Sequence, residues 1–150
     1  PDTTGRYFAV KAENEQFYLV HITDFDGESI LDERFSEEPV FYFNGINLFY
    51  LQSGRFYRYQ YKKQEFLRQM PSSRSTDLAV SKSGYYWIEH SNRSRIFYRN
   101  FSKVSDSLVF QYNEVRDIRY LTVDWNDVNL FFQHTDNSNS RLLRIDVVKD

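Results

Sequence analysis

The chain has 150 residues and a net charge of -2, which corresponds to one ordinary domain with enough length for a hydrophobic core. Aromatic residues make up 19% of it, including 12 Tyr and 14 Phe, and such residues favour the half-buried surfaces of β-sheets. The absence of cysteine excludes disulfides, thiolate catalysis and cysteine-based zinc sites. No apolar run approaches the ~20 residues of a membrane span.

Short β-prone runs separated by turn residues follow one another along the whole chain. Alternation of apolar and polar residues in Arg55–Tyr61 and Asn129–His134 is typical of strands with one buried face. Pro39 and Pro71 interrupt the series, because proline cannot donate to a central ladder. The predicted strands, in chain order, are Phe8–Val10, Phe17–Val20, Ser29–Leu31, Val40–Phe43, Leu48–Leu51, Arg55–Tyr61, Glu65–Leu67, Leu78–Val80, Tyr85–Glu89, Arg95–Phe101, Ser107–Phe110, Leu121–Val123, Asn129–Phe132 and Arg141–Val147.

One order of elements recurs along the chain: a short strand, a turn, an aromatic strand, a polar loop and a strand led by arginine. The leading residues Arg55, Arg95 and Arg141 are 40 and 46 residues apart. A period of about 40–50 residues with four short strands is typical of β-propeller blades. A β-sandwich is the main alternative, but the fourfold recurrence favours blades. The predicted units span residues 7–38, 39–70, 76–110 and 117–150.

The later units also resemble a known family. Leu121–Trp125, followed by Asn129–Phe132, resembles the "aVDW…nLYW" signature of LDL-receptor class B repeats, and Tyr85–Glu89 looks like a degenerate YWTD strand. These YWTD repeats occur in LDL-receptor relatives and in Ros/Sevenless-type receptor tyrosine kinases. The likeness covers residues 40–147 and, more weakly, 7–31.

The resemblance implies an all-β fold, a six-bladed propeller of roughly twice this length. We therefore expect four propeller-like blades that form part of a larger ring, completed by further segments or by another chain. Equivalent aromatic residues of the blades should form the structural core. These predicted core residues are Tyr50, Trp87, Trp125 and Phe132.

The sequence contains no motif for catalysis or for a cofactor. The three histidines lack the spacing of a zinc site, and no serine lies in a GxSxG elbow. Asp24 and Asp26 touch the start of a calcium loop, but an Asp26-Gly27 turn explains them better. We predict no enzyme, no metal site and no cofactor.

Charge is distributed unevenly, which suits docking to a charged protein partner. Residues 1–39 hold ten acids and three bases (-7), and residues 40–119 hold thirteen bases and six acids (+7). Bases interleaved with aromatics around Arg55–Lys63 could also stack nucleic acid, but their recurrence in later units favours an outer strand. We predict no nucleic-acid partner. The predicted docking cations are Arg55, Arg58, Lys62, Lys63 and Arg95.

Two further sets of residues bear on location and regulation. His21, His90 and His134 each end an aromatic strand, so in a propeller they should share one rim that gains charge below about pH 6. Asn92-Arg93-Ser94 and Asn100-Phe101-Ser102 are N-glycosylation sequons, which fit an extracellular or cell-surface protein.

These observations predict a non-catalytic extracellular interaction module, a receptor-ectodomain propeller that binds a protein ligand or neighbouring domains without inserting into the membrane. The alternative is a soluble propeller with a small-molecule or glycan site, such as a lectin or the gating propeller of a peptidase. The unequal loops of the units disfavour a lectin, which needs similar pockets in every blade.

Overall fold

The computed structural model describes residues 7–11, 17–22, 29–35, 40–44, 47–60, 63–70, 74–89, 91–114, 117–124, 127–136 and 139–147. Within these ranges the chain is all-β, with no α-helix. The strands are β1 (Tyr7–Lys11), β2 (Phe17–Ile22), β3 (Ser29–Phe35), β4 (Val40–Asn44), β5 (Asn47–Gln52), β6 (Arg55–Gln60), β7 (Lys63–Gln69), β8 (Leu78–Val80), β9 (Gly84–Ile88), β10 (Arg95–Asn100), β11 (Ser107–Gln111), β12 (Asp117–Val123), β13 (Asn129–Asp136) and β14 (Asn139–Asp146).

The strands form four antiparallel sheets in which chain neighbours pair with each other. The sheet orders are β1-β2-β3, β4-β5-β6-β7, β8-β9-β10-β11 and β12-β13-β14. The prediction of an all-β fold with antiparallel sheets is confirmed. The arrangement of the sheets as propeller blades, and the number of blades, remain predictions.

The chain divides into two compact units, residues 1–73 and 74–150. The first unit contains the sheets β1–β3 and β4–β7. In the second of these sheets, a cluster of Leu48, Tyr50 and Tyr59 is buried, with Tyr57 packed against it. The hairpin between β5 and β6 turns at Ser53 and Gly54, both with positive φ, as a two-residue type I′ turn requires.

The second unit packs its two sheets against each other through a continuous apolar core. Tyr86, Ile88 and Ile96 contribute from the sheet β8–β11, and Leu130 and Phe132 contribute from the sheet β12–β14. The first strands of the two sheets, β8 and β12, are neighbours. On the opposite face of β9, Trp87 is 3% exposed and stacks on Phe97. Both faces of this sheet therefore hold buried residues.

The predicted core positions lie at equivalent places in the strand register. Tyr50 pairs with Tyr57, and Trp87 pairs with Phe97. Tyr57 comes two residues after Arg55, and Phe97 comes two residues after Arg95. In the last sheet Phe132 pairs with Leu143, which likewise comes two residues after Arg141. Tyr50 and Phe132 are 1% and 0% exposed. Trp125 lies outside the described residues.

Candidate functional site

A cleft of about 480 Å³ opens between the two sheets of the second unit, at the end where β8 turns into β9. Its walls come from six segments: the β8–β9 turn, β9, β10 with the loop that follows, β11, the loop before β13, and the end of β14. Sheet packing therefore brings together residues that are far apart in the sequence. We call it the inter-sheet cleft, lined principally by Tyr86, Tyr98, Asn100, Leu108, Asp127 and Asp146.

Tyr86 supplies an unused hydroxyl group to the cleft. The residue is only 2% exposed, and its ring packs against the Tyr98 ring with centroids 4.7 Å apart. The Tyr98 hydroxyl is 3.0 Å from Ser83 Oγ, but the Tyr86 hydroxyl makes no hydrogen bond within the described part of the chain. Burial, together with the nearby Tyr98 and Asp127, raises the pKa of Tyr86, so the phenol stays protonated.

Asp127 places a carboxylate in the same cleft although it is 7% exposed. Its loop is fixed because Asp124 Oδ1 accepts from Val128 N at 2.7 Å, and Asp127 itself adopts φ +57°, which aspartate tolerates well. Oδ2 accepts from the backbone N of Lys82 at 2.8 Å, a hydrogen bond that links the two sheets. Oδ1 has no hydrogen-bond donor among the described residues, and no cation pairs with this carboxylate there.

Three exposed apolar residues, Val104, Leu108 and Val128, lie in or directly beside the segments that line the cleft, and we call them its rim. Leu108, itself part of the lining, is 52% exposed. Val104 is 90% exposed and lies between the lining residues Lys103 and Ser105, while Val128 is 43% exposed and follows Asp127. Beside a concave polar site, these exposed apolar side chains form a candidate contact surface for another macromolecule.

The opposite end of the same two sheets holds an ion-pair network that the sequence does not predict. Arg93, in the β9–β10 loop, binds Asp77 through two hydrogen bonds of 2.7 and 2.9 Å and donates to Asp117 Oδ1 at 2.6 Å. It also donates to the backbone O of Ile118 at 2.7 Å. Hydrogen bonding to Asp77, acting against burial, raises the pKa of Arg93. No local sequence signal joins these residues, because they are 16 and 24 positions apart.

The predicted docking cations are distributed over both units. Arg55 and Lys63 are exposed. Arg58 pairs across β6–β7 with Glu65, with Nε to Oε2 at 2.8 Å, so it already has a carboxylate partner. Arg95 is half-buried, with Nη1 3.4 Å from Glu89 Oε2. Lys62 lies outside the described residues.

Of the three histidines, His134 alone has a described side chain. It is 6% exposed, and its Nδ1 is 3.0 Å from the Tyr112 hydroxyl. His21 lies in β2, opposite Tyr7, and His90 lies outside the described residues. The hypothesis of a histidine rim stays a prediction.

Both sequons adopt the same local geometry. Asn92 Oδ1 accepts hydrogen bonds from the backbone N and the hydroxyl of Ser94, and Asn100 Oδ1 accepts from those of Ser102 at 2.9 and 2.7 Å. In each case the side-chain nitrogen, the atom to which a glycan would be attached, makes no hydrogen bond within the part of the chain that the structure describes.

Comparison with protein-family models and with curated proteins finds no match to this chain. Among the described residues, no three His, Asp or Glu side chains converge as a metal-binding group. No helix in those ranges has the length and apolar character needed to cross a membrane.

Proposed function

We propose that the chain is a non-catalytic protein-interaction module of the extracellular space or cell surface, built from propeller-like sheets that belong to a larger β-propeller of the YWTD type. The observation that carries the proposal is the inter-sheet cleft with its exposed apolar rim, Val104, Leu108 and Val128. Protein interfaces combine such apolar contacts with a few buried polar anchors, here Tyr86 and Asp127.

Two further observations support the architecture and the location. Each sheet is a meander of neighbouring strands, and β8 lies beside β12, as the innermost strands of adjacent blades do. The side-chain nitrogen of Asn92, in the β9–β10 loop away from the cleft, makes no hydrogen bond within the described residues, which suits N-glycosylation in the secretory pathway.

The test is a screen of the tagged chain against an array of extracellular proteins, followed by affinity measurements with two matched variants. The first combines Val104→Asp and Leu108→Asp at the rim of the cleft. The control is Leu142→Asp on β14, because Leu142 is also apolar and 75% exposed. We expect a partner whose affinity falls at least about tenfold with the rim variant and stays unchanged with the control. A partner that is indifferent to the rim variant, or the absence of any protein partner, would contradict the proposal.

A further inference from the structure

The Asp127 carboxylate is the feature of the cleft that most needs explanation. Burial of an ionised carboxylate is costly unless a partner compensates its charge. Asp127 is 7% exposed, yet the one hydrogen bond to its side chain in the described structure comes from the backbone N of Lys82. Its second oxygen is available to a ligand in the cleft.

Tyr86 provides an independent second observation. Its hydroxyl is part of a side chain that is 98% removed from solvent, lines the same cleft and has no hydrogen-bond partner in the described ranges. The hydroxyl oxygen opens onto the cleft and is not sealed in the core, so a ligand that donates a hydrogen bond can reach it. The cleft thus offers two acceptor positions, on largely buried side chains, that have no donor among the described residues.

The surrounding residues define the charge and shape of the ligand. Asp146, whose Oδ1 is 3.8 Å from Arg144 Nε, adds a second carboxylate to the lining. The rings of Tyr86 and Tyr98, tilted by 35° to each other, add aromatic surface. The cation of the lining, Lys103, lies in the exposed β10–β11 loop. A neutral sugar could donate to both vacant oxygens, but it would leave the buried negative charge uncompensated. A cation with several donors meets both requirements.

We infer that the inter-sheet cleft receives an arginine side chain of a protein partner, with its guanidinium directed at the Asp127 carboxylate and the Tyr86 hydroxyl. A guanidinium offers five donors in a planar fork, is weakly hydrated and packs well on aromatic rings, which an ammonium does less well. This inference rests on the proposed function, in that the arginine belongs to the partner of the module. It adds the chemistry by which that partner is recognised.

The experiment uses the whole unglycosylated chain and small probes, so it does not depend on finding the partner. Amide NMR spectra are recorded during titration with N-acetyl-arginine methylamide and, separately, with its citrulline analogue, which has nearly the same shape without the charge. We expect the arginine probe to shift the amides of Lys82, Tyr86 and Asp127, and the citrulline probe to bind at least about tenfold more weakly.

Two conservative variants locate the contact. Asp127→Asn keeps an oxygen for Lys82 N but removes the charge, and it should weaken the arginine probe about tenfold or more. Tyr86→Phe removes only the unpartnered hydroxyl and should weaken binding about threefold to tenfold. Glu114→Gln makes the same charge change on an exposed residue beyond the far end of β11, and it should leave binding unchanged.

Several results would overturn the inference: equal binding of the two probes, shifts confined to residues outside the cleft, or full binding by a folded Asp127→Asn variant. Binding of methyl α-glucoside at the same amides, without binding of the arginine probe, would assign the cleft to glycans instead. The comparison of the two probes on the wild-type chain remains decisive if a variant fails to fold. Failure of the arginine probe together with a rim-dependent protein partner would reject this site while leaving the proposed function standing.

Discussion

Arg93 donates two hydrogen bonds to the Asp77 carboxylate through the two terminal nitrogens of its guanidinium. Nη1 lies 2.7 Å from Oδ2, and Nη2 lies 2.9 Å from Oδ1. Asp77 is 1% exposed, so its charge is buried and depends on this partner. The pair ties the β9–β10 loop to the short 3-10 turn that precedes β8, and Asp117 extends it to β12.

We expect Arg93→Ala to lower the free energy of unfolding by about 3–5 kcal/mol, because the substitution leaves the buried Asp77 carboxylate without its bound guanidinium. The matched control is Arg144→Ala, which breaks an exposed pair with Asp146 at 3.8 Å and should cost less than about 1 kcal/mol. Urea unfolding of both variants provides the measurement. Equal midpoints for Arg93→Ala and wild type would show that the network does not stabilise the fold.

The Asp117 carboxyl predicts a dependence of stability on acid pH. Burial acts to raise its pKa, but hydrogen bonds from Arg119 and Arg93 outweigh that effect and hold the pKa below the ordinary value of 3.8. A carboxyl with a depressed folded-state pKa stabilises the fold above its unfolded-state pKa, and this contribution is lost as the pH falls through the folded-state value. Stability should therefore decline as the pH drops below about 4.

Melting temperatures of wild type and Asp117→Asn between pH 7 and pH 2.5 check this expectation. The variant should be less stable than wild type at pH 7, and the difference should shrink toward pH 2.5. A difference that is constant across this range would show that the ion pairs of Asp117 do not cause the loss of stability in acid.

Two glycines should respond to alanine for different reasons. At Gly84 a Cβ would lie 2.1 Å from the backbone O of Arg99 and 2.6 Å from the Tyr98 ring, so the strands must separate. At Gly54 the nearest atom is the side-chain nitrogen of Gln69, at 3.1 Å, and the cost comes from φ +73°. We expect Gly84→Ala to cost about 3 kcal/mol or more.

Gly54→Ala should cost about 1–2 kcal/mol, the penalty of a left-handed residue with a Cβ. Asparagine separates the two causes, because it tolerates positive φ but is larger than alanine. Gly54→Asn should be milder than Gly54→Ala, whereas Gly84→Asn should be at least as harmful as Gly84→Ala. Thermal unfolding of the four variants measures this, and the same ranking at both sites would refute the distinction.

Trp87 should be a large contributor to stability, because it is 3% exposed and stacks on Phe97 with ring centroids 5.5 Å apart. Trp87→Ala should lower the free energy of unfolding by about 3–5 kcal/mol. Leu142→Ala, at a position 75% exposed, should change it by less than about 0.5 kcal/mol. An unchanged melting curve for Trp87→Ala would contradict the packing described for β9.

If the chain is extracellular, secretion from mammalian cells should add glycans at Asn92 and Asn100. On a denaturing gel, treatment with an N-glycosidase should increase the mobility of the secreted wild-type protein. Asn92→Gln and Asn100→Gln should each produce part of this increase without the enzyme, and the double variant should migrate like the deglycosylated protein. Since Asn100 lines the inter-sheet cleft, a glycan there should also weaken binding in the cleft. A secreted protein with no glycosidase-sensitive shift would argue against both sites.

Strand positions could be predicted from the sequence wherever alternation is regular. Leu78–Val80 was predicted to the residue, and Arg95–Phe101 differs from the observed β10 by one position. The strand β12 was predicted to begin at Leu121 but begins at Asp117. A register shift between Arg119 and Thr122 places both Ile118 and Leu121 inward, three residues apart, which hides the period of two.

The cleft could not be predicted, because its residues carry no local signal. Tyr86 is one aromatic residue in a run typical of any buried strand, and its vacant hydroxyl is apparent only once the two sheets are packed. Asp127 belongs to the loop after the Val123-Asp124-Trp125 signature, where an acidic residue fits a turn equally well. Their proximity depends on the packing of two sheets, which sequence periodicity does not encode.

The most direct test of the central claim is site-specific photo-crosslinking to the protein partner found in the array screen. A photoreactive phenylalanine replaces Leu108 at the rim of the cleft or, as a control, Leu142 on β14. The account predicts a crosslinked partner peptide at position 108, containing or adjoining an arginine, and none at position 142. Crosslinking at 142 but not at 108 would place the interaction elsewhere and contradict the assignment of the cleft as the binding site.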